Sequence, residues 1–410
     1  MIMPLRRVLL ALLSVGLSCV WSVARPDENV VSQPTPLEVL RVDLYGKRVW
    51  LTATVNQVEL VFQFDSAAGT SLLTPKAAER AGLRPHAWAS AGGAGDNTIR
   101  IQVTRGVTLR LGRVSWIAPS VALIPLDNID EGTGRRADGL IGKDFLERFV
   151  VEIDYAAGQM NLYDPSKYAY SGTGTSFPIT LREGPIIEGQ IAMPGQGRLP
   201  CRLLVDAPYT GSLAFSRPFV EKHRLLDAAV ALTPQLLKSK MRGVGGESLI
   251  HIGRVQSLTL GPYSFERPVS EFCLAEGGTL ARSDIDGLLG AEILRRFRVI
   301  FDYPHLRMIL EPAARALKDA FEYDMSGLEI RAVPPEFKSF AVRRVHEGSP
   351  AAKAGVQVGD SITVINGRPV QELTLPEIRE TLRVPGREIR ISIVRGEEQK
   401  DLVFVLRRLI

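Results

Sequence analysis

Two aspartates stand out in the 410-residue chain because each closes a largely apolar strand. Asp65 follows Glu59-Leu60-Val61-Phe62-Gln63-Phe64, and Asp206 follows Cys201-Arg202-Leu203-Leu204-Val205. A lone carboxylate at such a place is costly to desolvate, and its ordinary reason is a turn or a cap. Recurrence argues for more. Small residues follow in both cases, Ser66-Ala67-Ala68-Gly69 and Ala207-Pro208-Tyr209-Thr210-Gly211, and a Ser-Leu pair comes next (Ser71-Leu72, Ser212-Leu213). Two carboxylates brought together cannot both ionise cheaply, so they share one proton. The ionised partner can take a proton from water while the protonated one donates to a carbonyl oxygen. That chemistry hydrolyses an amide with neither a metal nor a covalent intermediate.

Competing chemistries lack their residues. The five histidines (His86, His223, His251, His305, His346) are scattered, and no His-x-x-x-His or Cys-x-x-Cys spacing occurs. No metal or other cofactor is therefore expected. There is no Gly-x-Ser-x-Gly elbow, and no glycine run leads into Gly-Lys-Ser/Thr.

The elements that would hold the two aspartates come from an internal repeat. The 18 residues from Asp138 to Tyr155 return 148 positions later, from Asp286 to Tyr303, with ten identities and no gap. Each copy reads as an apolar strand ending in glycine (Leu140-Ile141-Gly142, Leu288-Leu289-Gly290), a short helix, then a strand (Val150–Ile153, Val299–Phe301) that ends in Asp-Tyr. Asp154 and Asp302 at those ends read as turn residues. Short helices follow the Ser-Leu pairs, over 75–81 and 217–223. A glycine-rich hairpin lies between the landmarks of each half: Gly92, Gly93 and Gly95 lead into 99–103, and Gly243, Gly245 and Gly246 into 249–252. Residues 37–165 and 175–312 thus read as two mainly β copies of one unit, and an approximate two-fold axis would bring Asp65 and Asp206 together.

This order of landmarks resembles the retropepsin-like aspartic peptidases across most of residues 37–312. The family carries Asp-Thr/Ser-Gly at a strand end, then an apolar-apolar-Gly motif before a short helix. By that resemblance Asp65 and Asp206 are the catalytic pair, Ser66 ties the loops together, and the two glycine hairpins are flaps over the cleft. The chain departs from the pattern at Ala67, where the family has glycine, and at Ala207-Pro208, where it has Thr/Ser-Gly. Ala207 has no hydroxyl, and Pro208 has no N–H to offer. The activity implied is that of an aspartic endopeptidase acting on protein or peptide; the alternative is a peptide-binding relative that has lost catalysis.

After a connector over 313–325, residues 326–410 form a separate pattern. Gly348-Ser349-Pro350-Ala351-Ala352-Lys353-Ala354-Gly355, Gly359-Asp360-Ser361-Ile362 and Asn366-Gly367-Arg368-Pro369-Val370 resemble a PDZ domain. The resemblance implies capture of an extended chain, such as a C-terminal peptide, by strand addition. Phe337, Lys338, Ser339 and Phe340 stand where the carboxylate loop would lead into the receiving strand, without the family's glycines. The alternative is a domain that only packs on the body. The fold class expected is therefore mainly β: two retropepsin-like lobes followed by a PDZ domain, a β sandwich or barrel with two helices.

At the start, Arg6 and Arg7, an apolar run over 8–20 and Ser22-Val23-Ala24 read as a secretory signal over 1–24, followed by a flexible segment over 25–36. An exported protein, periplasmic or extracellular, is expected, with no membrane span once the signal is removed. Cys19 invites a lipid anchor, but Gly16 stands where that motif usually has leucine. Removing the signal lowers the net charge from +5 to +3, which is no nucleic-acid footprint. Cys201 and Cys273 remain, as a disulfide or as two buried thiols.

Overall fold

A computed structural model of the chain describes residues 34–233, 235–313 and 316–410. The signal over 1–24, Cys19 and most of the expected flexible segment lie outside the described residues. Among those described, no helix is long and apolar enough to cross a membrane.

Two large sheets share one strand order. In the first, the neighbours run Asp43–Tyr45, Arg48–Val55, Val58–Phe64, Gly139–Ile141, Leu72–Leu73, Val114–Leu123, Ile99–Leu111, Ala87–Ala91. In the second, Pro185–Met193, Gly197–Val205, Gly287–Leu289, Leu213–Phe215, Val269–Cys273, Gly246–Arg254 and Leu237–Gly243 follow the same path, and Thr180–Leu181 pairs with the first of them. Even the crossings match. Val58–Phe64 is parallel to Gly139–Ile141 with Phe64 opposite Ile141, and Gly197–Val205 is parallel to Gly287–Leu289 with Val205 opposite Leu289. Alternating apolar positions on these strands fill a core that includes Phe62, Phe64, Leu203, Val205, Phe145 and Ile293.

A third sheet joins the halves. Its central pair is Val150–Asp154 against Phe297–Asp302, antiparallel, with Glu152 opposite Ile300. Those two residues are 148 positions apart, the spacing of the repeat. The register is therefore symmetric about their pairing, which places an approximate two-fold axis there. Gln159–Tyr163 and Arg307–Pro312 flank the pair, and Glu38–Arg41 and Thr175–Pro178 form the edges.

The C-terminal domain has its own sheet, in the order Leu328–Val333, Ser339–Val345, Ser361–Ile365, Glu388–Arg395, Glu398–Val405. Its main helix is Leu375–Thr381, opened by a reciprocal cap in which Thr374 and Glu377 satisfy each other's backbone N–H groups. The connector is no free tether. Phe321 and Met325 are buried, and a short 3-10 turn spans Ala316–Lys318.

Candidate active site

Asp65 and Asp206 leave their strands in the same way. The Asp65 N–H donates to the Ile141 carbonyl and the Asp206 N–H to the Leu289 carbonyl, both at 2.9 Å. The glycines that follow these carbonyls explain why the motif ends in glycine. A Cβ on Gly142 would lie 2.7 Å from the Thr70 carbonyl carbon, and one on Gly290 would lie 2.4 Å from the Gly211 oxygen. The turn after each aspartate packs directly on that backbone.

Ser66 crosses between the halves. Its buried hydroxyl donates to the Val205 carbonyl at 2.7 Å and accepts from the Ala207 N–H at 3.0 Å. This bridge links residues flanking Asp206 to the residue after Asp65, so the two loops meet at the axis. Ala207 has no hydroxyl to return it. Tyr303 adds support below, donating from its phenol to the Ser66 carbonyl at 3.0 Å.

The carboxylates are dressed unequally. Asp65 Oδ1 accepts from the Ala67 N–H two residues on, at 2.9 Å. Pro208 cannot supply the matching N–H, and Asp206 Oδ1 accepts instead from Tyr209, three residues on, at 2.9 Å. Desolvation raises both acids above the ordinary carboxylate range, and the charge on Asp206 pushes Asp65 up further. Arg48 opposes this at Asp206, drawing its pKa down. Burial lowers the Arg48 guanidinium itself to about 10, and its Nε has no hydrogen-bond partner among the described residues. Nothing in the local sequence marks this arginine; only the fold brings it to Asp206.

The two hairpins meet tip to tip. Gly95 N–H donates to the Val244 carbonyl and Asn97 N–H to the Gly245 carbonyl, both at 3.0 Å. Ser248 donates to the Ala94 carbonyl at 2.8 Å. A Cβ on Gly95 would lie 2.3 Å from the Gly246 nitrogen, so the crossing requires glycine. Gly92, Gly93, Gly243, Gly245 and Gly246 all fall in these tips or at their bases. Equivalent hairpins meet here, and equivalent aspartate loops meet at the Ser66 bridge. Each meeting is between equivalent elements, so both lie on the axis.

Other sequence readings resolve simply. Asp154 accepts from the backbone N–H groups of Ala156 and Ala157, as a turn residue does. Asp302 is buried and paired with Arg307 and His305. Cys201 and Cys273 are free and buried, and desolvation pushes each thiol up to about 12. Among the described residues, no group of three or more His, Cys, Asp or Glu side chains is placed to hold a metal ion.

Residues Phe337, Lys338, Ser339 and Phe340 are displaced from their expected role. Phe337 and Lys338 lie in the turn after Leu328–Val333, and Ser339 and Phe340 begin the strand Ser339–Val345, which is hydrogen-bonded on both sides, to Leu328–Val333 and to Ser361–Ile365. A strand paired on both sides cannot receive another. Of the two edge strands, Leu328–Val333 and Glu398–Val405, the first faces the Leu375–Thr381 helix, with Arg379 donating to the Ile330 carbonyl at 3.2 Å. The loop leading into that edge strand is 323–327.

Residues 51–145 match the family model of the aspartyl protease, and residues 342–395 match that of the PDZ domain. The first span holds Asp65, Ser66, the first hairpin and the Leu140-Ile141-Gly142 motif.

Proposed function

We propose that the chain is an exported aspartic endopeptidase in which Asp65 and Asp206 activate one water. The observation that carries this reading is the Ser66 bridge, which joins the two aspartate loops at the axis relating the halves. Desolvation and mutual repulsion favour one shared proton on the pair. The ionised carboxylate takes a proton from water as the oxygen attacks the carbonyl carbon. The other carboxyl protonates the carbonyl oxygen. Collapse of the diol moves a proton to the amine nitrogen, breaks the C–N bond and releases an acid and an amine, with the pair again holding one proton. Arg48 favours the ionised form of Asp206, which assigns it the base role. The hairpins would exclude bulk water, and the PDZ domain would bring protein substrate. Export rests on the residues over 1–24.

A second reading is favoured by Ala207-Pro208: a peptide receptor without turnover. Hydrolysis of a denatured, labelled protein from about pH 3 to pH 8 separates the two. The peptidase reading expects cleavage that Asp65→Asn and Asp206→Asn each reduce by about 10²- to 10⁴-fold. Peptide binding without cleavage at any pH, or cleavage indifferent to both changes, overturns it.

A further inference from the structure

The edge strand Leu328–Val333 pairs with Ser339–Val345 on one side and carries no strand on its other side, yet the groove along that free side is filled. The filler is the chain's own first half. The Asp127–Thr133 helix, which precedes the Gly139–Ile141 strand beside Asp65, ends against the C-terminal domain. Glu131 pairs with Arg331 of the edge strand at 3.1 Å. Arg379, on the facing helix, donates one Nη to the Gly132 carbonyl at 2.8 Å and the other to the Ile330 carbonyl at 3.2 Å. Gly134 lies so close to Leu375, the first residue of that helix, that a Cβ would stand 2.8 Å from the leucine Cβ. The segment Glu131–Gly134 thus touches both walls, and Arg379 occupies an edge carbonyl that an added strand would need.

The anion cradle is filled as well. Asp324 lies in the loop that leads into the edge strand, and its Oδ1 accepts from the backbone N–H groups of Ser326 at 3.0 Å and Gly327 at 2.7 Å. Those are the donors a terminal carboxylate would seek. A chain that enters this groove therefore gains nothing from a free C-terminus.

The same contacts reach the hairpins. Glu131 also faces Arg242 at 3.9 Å, and Arg242 pairs with Glu247 across the second hairpin at 2.6 Å. Glu247 pairs in turn with Arg343 of the C-terminal domain, and Ser239 donates to Glu329. The second hairpin is held on one side by this ionic chain and on the other by the first hairpin.

We propose that the PDZ groove is closed in cis by Glu131–Gly134, and that this closure is a clasp holding the paired hairpins shut. An internal extended segment of a protein partner opens it by displacing Glu131–Gly134, which frees the second hairpin. The inference goes beyond the peptidase reading and is tested without hydrolysis. Its ion pairs have partly exposed partners and are individually weak, as an opening device requires.

The experiment is amide hydrogen exchange on the full chain and on Glu131→Arg, which sets like charges against Arg331 and Arg242. Exchange should rise about tenfold or more together at residues 130–134, 328–333 and 243–246, and stay unchanged in the joining sheet over 150–154 and 297–302. The reversed pair, Glu131→Arg with Arg331→Glu, should restore protection at residues 130–134 and 328–333. Unchanged exchange in the single variant, a rise confined to residue 131 and its neighbours, or no recovery in the reversed pair overturns the clasp. A general rise that includes the joining sheet also overturns it, because the contact is then part of the global fold.

Discussion

The loop after Asp65 and the loop after Asp206 occupy equivalent places and are held differently. The first supports itself: Ser66 supplies the crossing hydroxyl and Ala67 supplies an N–H to its own aspartate. The second supplies neither, since Ala207 has no hydroxyl and Pro208 no N–H. It is held by groups from outside the motif: the Ser66 hydroxyl across the axis, which accepts from the Ala207 N–H and donates to the Val205 carbonyl, the Tyr209 N–H one residue late, and the charge of Arg48. A two-fold frame can lose one copy of a supporting group where a neighbour acts across the axis. The result is a pair whose members are no longer equivalent, so a shared proton has a preferred side.

Removing the shared support should have the largest effect. Ser66→Ala leaves the Val205 carbonyl and the Ala207 N–H without their partner, which costs about 2–4 kcal/mol of stability. Denaturant titration should show this, with turnover falling by at least the same factor as for a misplaced carboxylate. A variant as stable as the parent would show that the Ser66 hydroxyl does not hold the Asp206 loop.

Asp206→Asn sharpens the electrostatic side. The folded-state pKa of Asp206 is raised above its unfolded value, to about 6. Its ionised form therefore weighs against the fold above that pH, and the penalty disappears as pH falls towards the unfolded value. The asparagine variant should gain about 1–2 kcal/mol at pH 8 and nothing near pH 4. A gain that is the same at both would place Asp206 outside any raised pair.

Arg48→Met removes the cation that favours ionised Asp206. The acid limb of the activity profile should move up by about one pH unit, roughly tenfold in rate at a fixed pH on that limb. Rates measured across pH with a fixed peptide report it; an unmoved limb would leave the inequality to the loops alone. The smallest effect is expected for Ala207→Ser, which offers a returning hydroxyl worth about 0.5–1 kcal/mol, visible as a small rise in melting temperature.

Much of this frame was legible in the residues. The gapless recurrence of Asp138–Tyr155 implied the strand order seen twice, and Gly142 and Gly290 marked the places where a turn packs on backbone. The glycine hairpins were also readable, because a close crossing admits no side chain. The rest was not legible for a physical reason: it depends on distant contact. Arg48 opens an ordinary strand, and no local period shows that it will face Asp206. Glu131 and Arg331 are 200 residues apart. The strand with a free side against the helix lies one element before Ser339–Val345, since a motif gives strand positions but not which strand keeps a free edge.

The joining sheet carries a last implication. Its centre is one strand from each half, so neither half completes that layer by itself. A polypeptide severed between residues 165 and 175 would yield two fragments, each baring one sticky ribbon of buried aliphatic side chains. Such fragments would pair with each other or with copies of themselves, and their recovery on mixing would depend on concentration. The intact tether fixes which halves meet, and so guarantees one unlike pair of loops per molecule.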